Sequence, residues 1–252
     1  MPDAQQKTVR SAIAPLMGEA RIAAGLTSQL LAGELLTVMD GRGDWLQVRG
    51  ADGYEGWTHA GYLMPSSGNE DAWRISMGCE IRDVLGTRRL LPLGARMSPG
   101  AEVVNGAALD VAHRAAQFPL EVTAVARSAE SLFTGASYLW GGVTPWGCDC
   151  SGFVQRIYAL HGLALPRDAW QQALHGTRIS DDPSGEHAPG DLLFFSDRED
   201  ARITHVGMAL GANRMVHCAL MRGGVAIEHM RSGDPYVARL RAQCVDVRRL
   251  LG

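Results

Sequence analysis

Asp149-Cys150-Ser151-Gly152 stands where a glycine-rich loop, Trp140-Gly141-Gly142-Val143-Thr144-Pro145-Trp146-Gly147, gives way to an amphipathic run. Phe153, Ile157 and Leu160 recur at helical spacing, with Val154 and Tyr158 beside them and Gly162 as a stop, so a helix is expected from Cys150 to about Leu160. A cysteine in the first turn of a helix faces unpaired backbone N–H groups and the positive end of the dipole. That placement is expected to lower the thiol pKa and make Cys150 a nucleophile. The position by itself also suits a small core cysteine. Residues further along the chain decide between the two.

A cysteine nucleophile needs a base and donors for the oxyanion. Thr204-His205-Val206-Gly207-Met208-Ala209-Leu210 and Arg214-Met215-Val216-His217-Cys218-Ala219 read as two strands around the turn Gly211-Ala212-Asn213. With Leu210 opposite Arg214, Gly207 faces His217, and His205 lies one diagonal step away on the same face. One imidazole can then orient the other, which gives nucleophile, base and orienter in the order Cys150, His205, His217. His161, His175, His187 and His229 sit in polar or turn-like contexts and read as surface residues, while His59 and His113 lie far from any nucleophile in sequence.

A zinc set of Cys148, Cys150, His205 and His217 is the competing chemistry. Its Cys-x-Cys gap is tighter than zinc ligands prefer and one cysteine lies in the helix, so no metal and no cofactor are expected. A Cys148–Cys150 disulfide is geometrically awkward. The five cysteines are odd in number and scattered, which fits reduced thiols better than a disulfide framework. Met1 to Arg10 has no apolar segment, no stretch of 18 apolar residues exists, and the net charge is −3 with no basic block. A cytoplasmic location, with neither nucleic acid nor membrane as partner, is the expectation; oligomeric state is not readable.

Upstream, residues 14–65 alternate short strands with Gly/Asp turns. Ser28 to Glu34 leads to Leu35 to Met39, a turn at Asp40 to Asp44, Trp45 to Arg49, a turn at Gly50 to Gly53, and Tyr54 to Thr58. The pattern predicts a small β-barrel and resembles a bacterial SH3-type domain. Ser66 to Asp71 reads as a linker. Leu90 to Ala95 and Ala101 to Val104 look like strands divided by Pro and Gly, consistent with a second, degenerate barrel. Val122 to Phe133 is helix-like. The expected fold class is α+β: SH3-like β-barrels at 1–66 and 67–122, then a catalytic domain at 123–252 with helices packed on an antiparallel sheet.

Five blocks carry a wider resemblance: Tyr138-Leu139-Trp140-Gly141-Gly142; Asp149 to Val154; Leu165-Pro166-Arg167-Asp168-Ala169 with Gln171-Gln172; Pro189-Gly190-Asp191-Leu192-Leu193-Phe194-Phe195; and His205 to Met208 with His217. In this order and spacing they resemble the NlpC-type cell-wall peptidases, a papain-like family of cysteine hydrolases. The resemblance implies Cys150 as nucleophile, His205 as general base and His217 as the orienting residue. It implies cleavage of peptidoglycan stem peptides at the bond from the γ-carboxyl of D-glutamate to a diamino acid. Relatives with SH3-like domains that recycle murein fragments favour a free N-terminal L-alanine.

Around this core, Tyr138 can donate its hydroxyl to the oxyanion beside the Cys150 N–H. Asp149, a carboxylate next to a thiolate, is expected either to cap the helix or to pair with a substrate ammonium. Ser151 and Asp168 would complete that amine subsite, and Glu55 would supply its carboxylate from the barrel. Asp191 is expected to bond backbone. Ala169 stands where many relatives carry a hydroxyl, and Cys148 is outside the pattern. The rival readings are a wall- or ligand-binding module with a vestigial site, and an acyltransferase or amidase on the same scaffold.

Overall fold

Gly/Asp turns cut the N-terminal region into short extended segments that pair as antiparallel ladders. In a computed structural model, which describes residues 5–66, 73–180 and 185–251, these are β1 (Gln6–Val9), β2 (Ile13–Met17), β3 (Leu26–Leu31), β4 (Leu35–Arg42), β5 (Trp45–Arg49), β6 (Glu55–His59) and β7 (Leu63–Pro65). They form one sheet in the order β3-β2-β6-β5-β4-β1-β7. Alternation sends Val9, Ala14, Leu16, Leu30, Leu36, Val48 and Leu63 into a single core. The turn read at Asp40 to Asp44 is shorter than expected: β4 runs through to Arg42, which pairs with Trp45.

The next segment gives β8 (Arg74–Ser76), β9 (Cys79–Arg82), β10 (Arg88–Leu91), β11 (Arg96–Met97), β12 (Glu102–Asn105) and β13 (Ala108–Asp110), arranged as two three-stranded sheets, β10-β9-β12 and β11-β8-β13. Both N-terminal segments belong to one compact unit, residues 1–114, and residues 115–252 form the other. The linker read at Ser66 to Asp71 lies, beyond Ser66, outside the described residues. A single turn, α1 (Arg114–Gln117), spans the boundary in sequence.

The second unit is built on an antiparallel sheet. Its elements are α2 (Val122–Ser131), the short hairpin β14 (Val143–Thr144) and β15 (Gly147–Cys148), α3 (Cys150–Leu160), α4 (Ala169–Gln172), β16 (Thr177–Ser180), β17 (Leu192–Phe195), β18 (His205–Gly211), β19 (Arg214–Ala219), β20 (Gly224–His229), α5 (Pro235–Gln243) and β21 (Cys244–Arg249). The sheet order is β16-β21-β17-β18-β19-β20. Helix α3 is buried on nearly every side, with Phe153, Val154, Ile157 and Tyr158 wholly inaccessible. Each such side chain contributes about 1.5–3 kcal/mol of burial. The helix packs on β18, β19 and α2. On the α5 side, Leu193, Phe195, Ala209, Met215, Val237, Leu240 and Val247 close a second cluster.

Two expectations are corrected here. The β18–β19 turn is not three residues long: Gly211 pairs with Arg214 across a bulge, and Ala212 (φ 51°) and Asn213 (φ 56°) form the left-handed centre of a two-residue turn. Beyond the bulge Met208 pairs with Val216, so the diagonal relation of His205 and His217 is unaffected. His161 is a buried C-cap, not a surface residue. Its ring nitrogens lie 2.6 Å from the Pro119 carbonyl oxygen and 2.9 Å from Ser128 Oγ, tying α3 to α2.

Candidate active site

The site starts from how α3 begins. Asp149 is its N-cap, accepting from the Gly152 N–H on Oδ1 at 2.8 Å and from the Gly141 N–H on Oδ2 at 2.8 Å. One carboxylate therefore fastens the glycine loop to the helix start. The approach is so close that a Cβ on Gly152 would collide with the Gly142 carbonyl oxygen. Arg167, 2% exposed, brackets the same carboxylate, with Nη1 to Oδ1 at 3.0 Å and Nη2 to Oδ2 at 2.6 Å, and also donates to Ser151 Oγ at 2.9 Å. Of the two roles foreseen for Asp149, capping is the one its oxygens perform, and they are filled in doing so. Ser151 is absorbed into the same cluster, its hydroxyl also 3.3 Å from Asp149 Oδ1.

The Cys150 sulfur meets the backbone N–H groups of Ser151 and Val206. Val206 directly follows His205, so the thiol sits at the head of the strand that carries the imidazole. His205 Nε2 lies 2.9 Å from His217 Nδ1, with the ring centroids 5.0 Å apart and the planes at 71°. The two nitrogens are aimed at each other, not at a shared metal. Cys148 is turned away toward Cys218, whose Sγ lies 3.0 Å from the Cys148 carbonyl oxygen. Those directions do not assemble the zinc set of Cys148, Cys150, His205 and His217, and among the described residues no metal-ligating cluster is found.

Electrostatics differ from the sequence expectation. Burial, reinforced by the Asp149 charge, pushes the Cys150 thiol up to about 12, against the lowering exerted by the Val206 N–H and by Arg167. Burial and the neighbouring His217 push His205 down to about 3. The helix N-terminus does not win: a terminus contributes about 0.3–1 kcal/mol, while each unit of pKa moved by burial is about 1.4 kcal/mol. At neutral pH the Cys150 thiol and the His205 imidazole are both uncharged.

Tyr138 is half-buried, its N–H bonded to the Gly223 carbonyl oxygen at 2.9 Å. Burial, then the adjacent Cys150, raises its phenol above the usual range, so the hydroxyl remains a donor. Asp168 is half-buried and begins α4, with its N–H 3.4 Å from Gln171 Oε1. Glu55 lies in the first unit on β6, opposite Arg49, which holds its Oε1 at 2.6 Å. Asp191 accepts the Ala188 N–H at 2.8 Å as expected, and also pairs with Arg249 through two contacts of 2.8 Å.

Two residues escaped the sequence reading. Arg167 stands in a quoted block without a role, because nothing in sequence says that a charge between Pro166 and Asp168 is buried. Glu228 lies 3.5 Å from His217 Nε2 through its Oε1. The signal that finds it is strand alternation after Gly223-Gly224, which puts Glu228 on the His217 face of a third strand.

A thiol on the Val206 amide, two facing imidazoles and a capped helix start are groups that cysteine hydrolysis can use. Residues 135–242 match the NlpC/P60 family, and residues 16–60 match the bacterial dipeptidyl-peptidase Sh3 domain. A γ-D-glutamyl-L-lysine dipeptidyl-peptidase of Bacillus cereus is 28% identical over 233 residues, covering 76% of this chain and 67% of that protein. The protein of the same description from Bacillus subtilis is 42% identical over 88 residues, which cover 34% of this chain and 29% of its own. A probable endopeptidase of Haemophilus influenzae is 33% identical over 119 residues, 47% of this chain and 70% of that one. The crystal structure of an NlpC/P60 family protein from Bacillus cereus superposes with a TM-score of 0.80 at 19% identity, covering 98% of this chain and all of the other, and so shares the fold. By its catalytic-domain match and the extent of the Haemophilus likeness, this chain belongs to the NlpC/P60 family of cysteine peptidases.

Proposed function

We propose that the chain is a cysteine endopeptidase that hydrolyses peptidoglycan stem peptides at the γ-D-glutamyl–diamino acid bond, with Cys150 as nucleophile, His205 as general base and His217 as orienting residue. The observation that carries this reading is the 2.9 Å contact of His205 Nε2 with His217 Nδ1, beside a thiol held on the amide that follows His205. The thiol proton passes to His205 as sulfur attacks the scissile carbonyl. The oxyanion is met by the Cys150 N–H and the Tyr138 hydroxyl. Collapse breaks the C–N bond, His205 returns the proton to the leaving amine, and water then hydrolyses the thioester by the reverse sequence. The descriptions of the two Bacillus relatives favour the γ-D-glutamyl bond over other wall linkages.

The substrate proposed is a short muropeptide with a free N-terminal L-alanine, recycled in a cytoplasmic setting. The five cysteines, all reduced thiols, suit such a compartment. Glu55 is proposed as the carboxylate for the substrate ammonium, in exchange for its exposed pair with Arg49, and Asp168 as a further polar contact. We also propose the domain limits 1–66, 67–122 and 123–252, with the middle segment a degenerate SH3-like fold.

Cys150→Ala should abolish turnover while leaving peptide binding nearly unchanged; hydrolysis at an appreciable fraction of the wild-type rate would sink the assignment. Digestion of defined stem peptides with free and blocked N-termini tests the amine subsite. Equal cleavage of both removes Glu55 from it.

A further inference from the structure

His217 is wholly inaccessible to solvent. Its Nδ1 faces His205, while its Nε2 finds no hydrogen-bond partner of good geometry among the described residues and lies 3.5 Å from Glu228 Oε1. Register explains the approach. On β19 and β20, His217 pairs with Ala226 and Met215 with Glu228, so Glu228 is the diagonal neighbour of His217 on the same face. The carboxylate is itself buried and is gripped by Arg222, Nε to Oε1 at 2.6 Å and Nη2 to Oε2 at 3.0 Å. Arg222 reaches on to Asp234 Oδ2 at 3.0 Å. His217 and Arg222 together hold Glu228 down to about 2, so it is an anion at any working pH.

We propose that Glu228 is a positioning residue that fixes the tautomers of both imidazoles, keeping a proton on His217 Nε2 so that His205 turns a bare Nδ1 toward its proton-transfer partner. An ionised carboxylate only accepts, so when His217 carries a single N–H, that N–H belongs on Nε2. Nδ1 is then an acceptor, and the proton in the 2.9 Å contact belongs to His205 Nε2. His205 is left with its lone pair on Nδ1. The opposite tautomer would set the His217 lone pair against a carboxylate and strip His205 of the base it needs. As His205 takes a proton, the buried charge of Glu228 compensates it through His217. Among the described residues His217 is met by His205, by Glu228 with Arg222 and Asp234 behind it, and by Tyr236, whose ring lies under Arg222 and Arg239 and feels Cys150; Tyr236 is pushed up to about 12 and stays neutral. The role rests on Cys150 and His205 acting as nucleophile and base.

The test reads tautomers directly. Long-range 1H–15N spectra of the full chain near pH 7 should show a pyrrole-type Nε2 and a pyridine-type Nδ1 on both His205 and His217. A His217 that carries its proton on Nδ1 overturns the proposal, whatever the protein cleaves. Correct tautomers in a protein that cleaves no stem peptide would leave this proposal standing and bring down the functional reading instead. With substrate, Glu228→Leu should cut kcat by about 10–100-fold with KM within about twofold. Glu228→Gln should move the acidic limb of kcat/KM down by about one pH unit, because the imidazolium loses its anion. Arg222→Met should move that limb up, because the carboxylate loses its counter-charge. A packing role would leave the limb in place in both variants, and that result refutes the proposal. Should Glu228→Leu fail to fold, the wild-type spectrum decides.

Discussion

Arg167→Leu isolates the buried ion pair that holds α3 to its loop. The wild-type guanidinium donates to both oxygens of Asp149 and to Ser151 Oγ, with both partners of the ion pair almost inaccessible. Leucine fills part of the volume but leaves the Asp149 carboxylate buried with its charge uncompensated, on two backbone donors and the Ser151 hydroxyl. Removing one partner of a buried pair costs about 3–5 kcal/mol, because the other charge is stranded. For a unit of this size that lowers the melting temperature by about 10–15 °C. Asp149→Asn combined with Arg167→Leu should recover much of the loss, since asparagine can still cap the Gly152 N–H without a charge. A coupling of about 1–3 kcal/mol is expected between the two sites. The pair also acts on Cys150: Asp149 raises its thiol and Arg167 lowers it. Arg167→Leu should therefore slow alkylation of Cys150 at about pH 9, where thiols ordinarily ionise, and Asp149→Asn should speed it. Urea midpoints and mass-spectrometric iodoacetamide rates measure both effects. An Arg167→Leu protein with a wild-type midpoint, or an Asp149→Asn protein that alkylates more slowly, would refute the reasoning.

Three further outcomes are expected. His205 is pushed down from 6.5 to about 3, so between those pH values the unfolded chain binds more protons than the folded one, and stability falls as pH drops. His205→Gln should remove about 1–2 kcal/mol of the loss seen between about pH 6.5 and 5 in urea titrations, after allowing for the ring's partial exposure; an unchanged slope contradicts the burial argument. Tyr138→Phe should lower kcat on a stem peptide by about 10²-fold with little change in KM, as removal of one oxyanion donor does, and an unaltered kcat assigns the ring to packing. Gly152→Ala should lose about 2 kcal/mol or more of stability, because the methyl has only backbone to displace at the Gly142 carbonyl; a near-neutral urea midpoint would mean that the loop gives way.

Period-3.6 and period-2 patterns carry most of this fold. Phe153, Ile157 and Leu160 mark α3 to the residue, and alternation in 205–219 brings His205 to His217 even though the turn between them is one residue shorter than read. A diagonal contact depends on register beyond the bulge and not on the turn itself. What sequence does not reveal is burial of polar groups. Nothing local distinguishes Arg167 from a solvated arginine or His161 from a surface imidazole, because their partners Asp149, Ser128 and Pro119 lie 18 to 42 residues away. Glu228 was within reach of the strand argument, and its pairing with His217 emerges once β20 is laid beside β19.

The same blindness to burial explains the thiol. A helix start argues for an easily ionised cysteine, yet enclosure and the cap carboxylate outweigh it and raise Cys150 to about 12. On the proposed roles the two sides agree: a neutral thiol needs a neutral acceptor, and His205 is held neutral by burial too. Proton transfer then has to accompany attack, driven by donors that gain strength only when an oxyanion forms. Iodoacetamide near pH 7 should therefore react slowly with Cys150, no faster than with the half-buried Cys244, and that slowness would not mark the site as vestigial. A stem-peptide chloromethyl ketone places its carbonyl oxygen against Tyr138 and the Cys150 amide and its carbon against the sulfur. It should label Cys150 at least about 10²-fold faster, the order of magnitude that oxyanion donors supply. Equal rates for the two reagents at neutral pH would mean that the site confers no activation, and the binding-module reading would replace the peptidase.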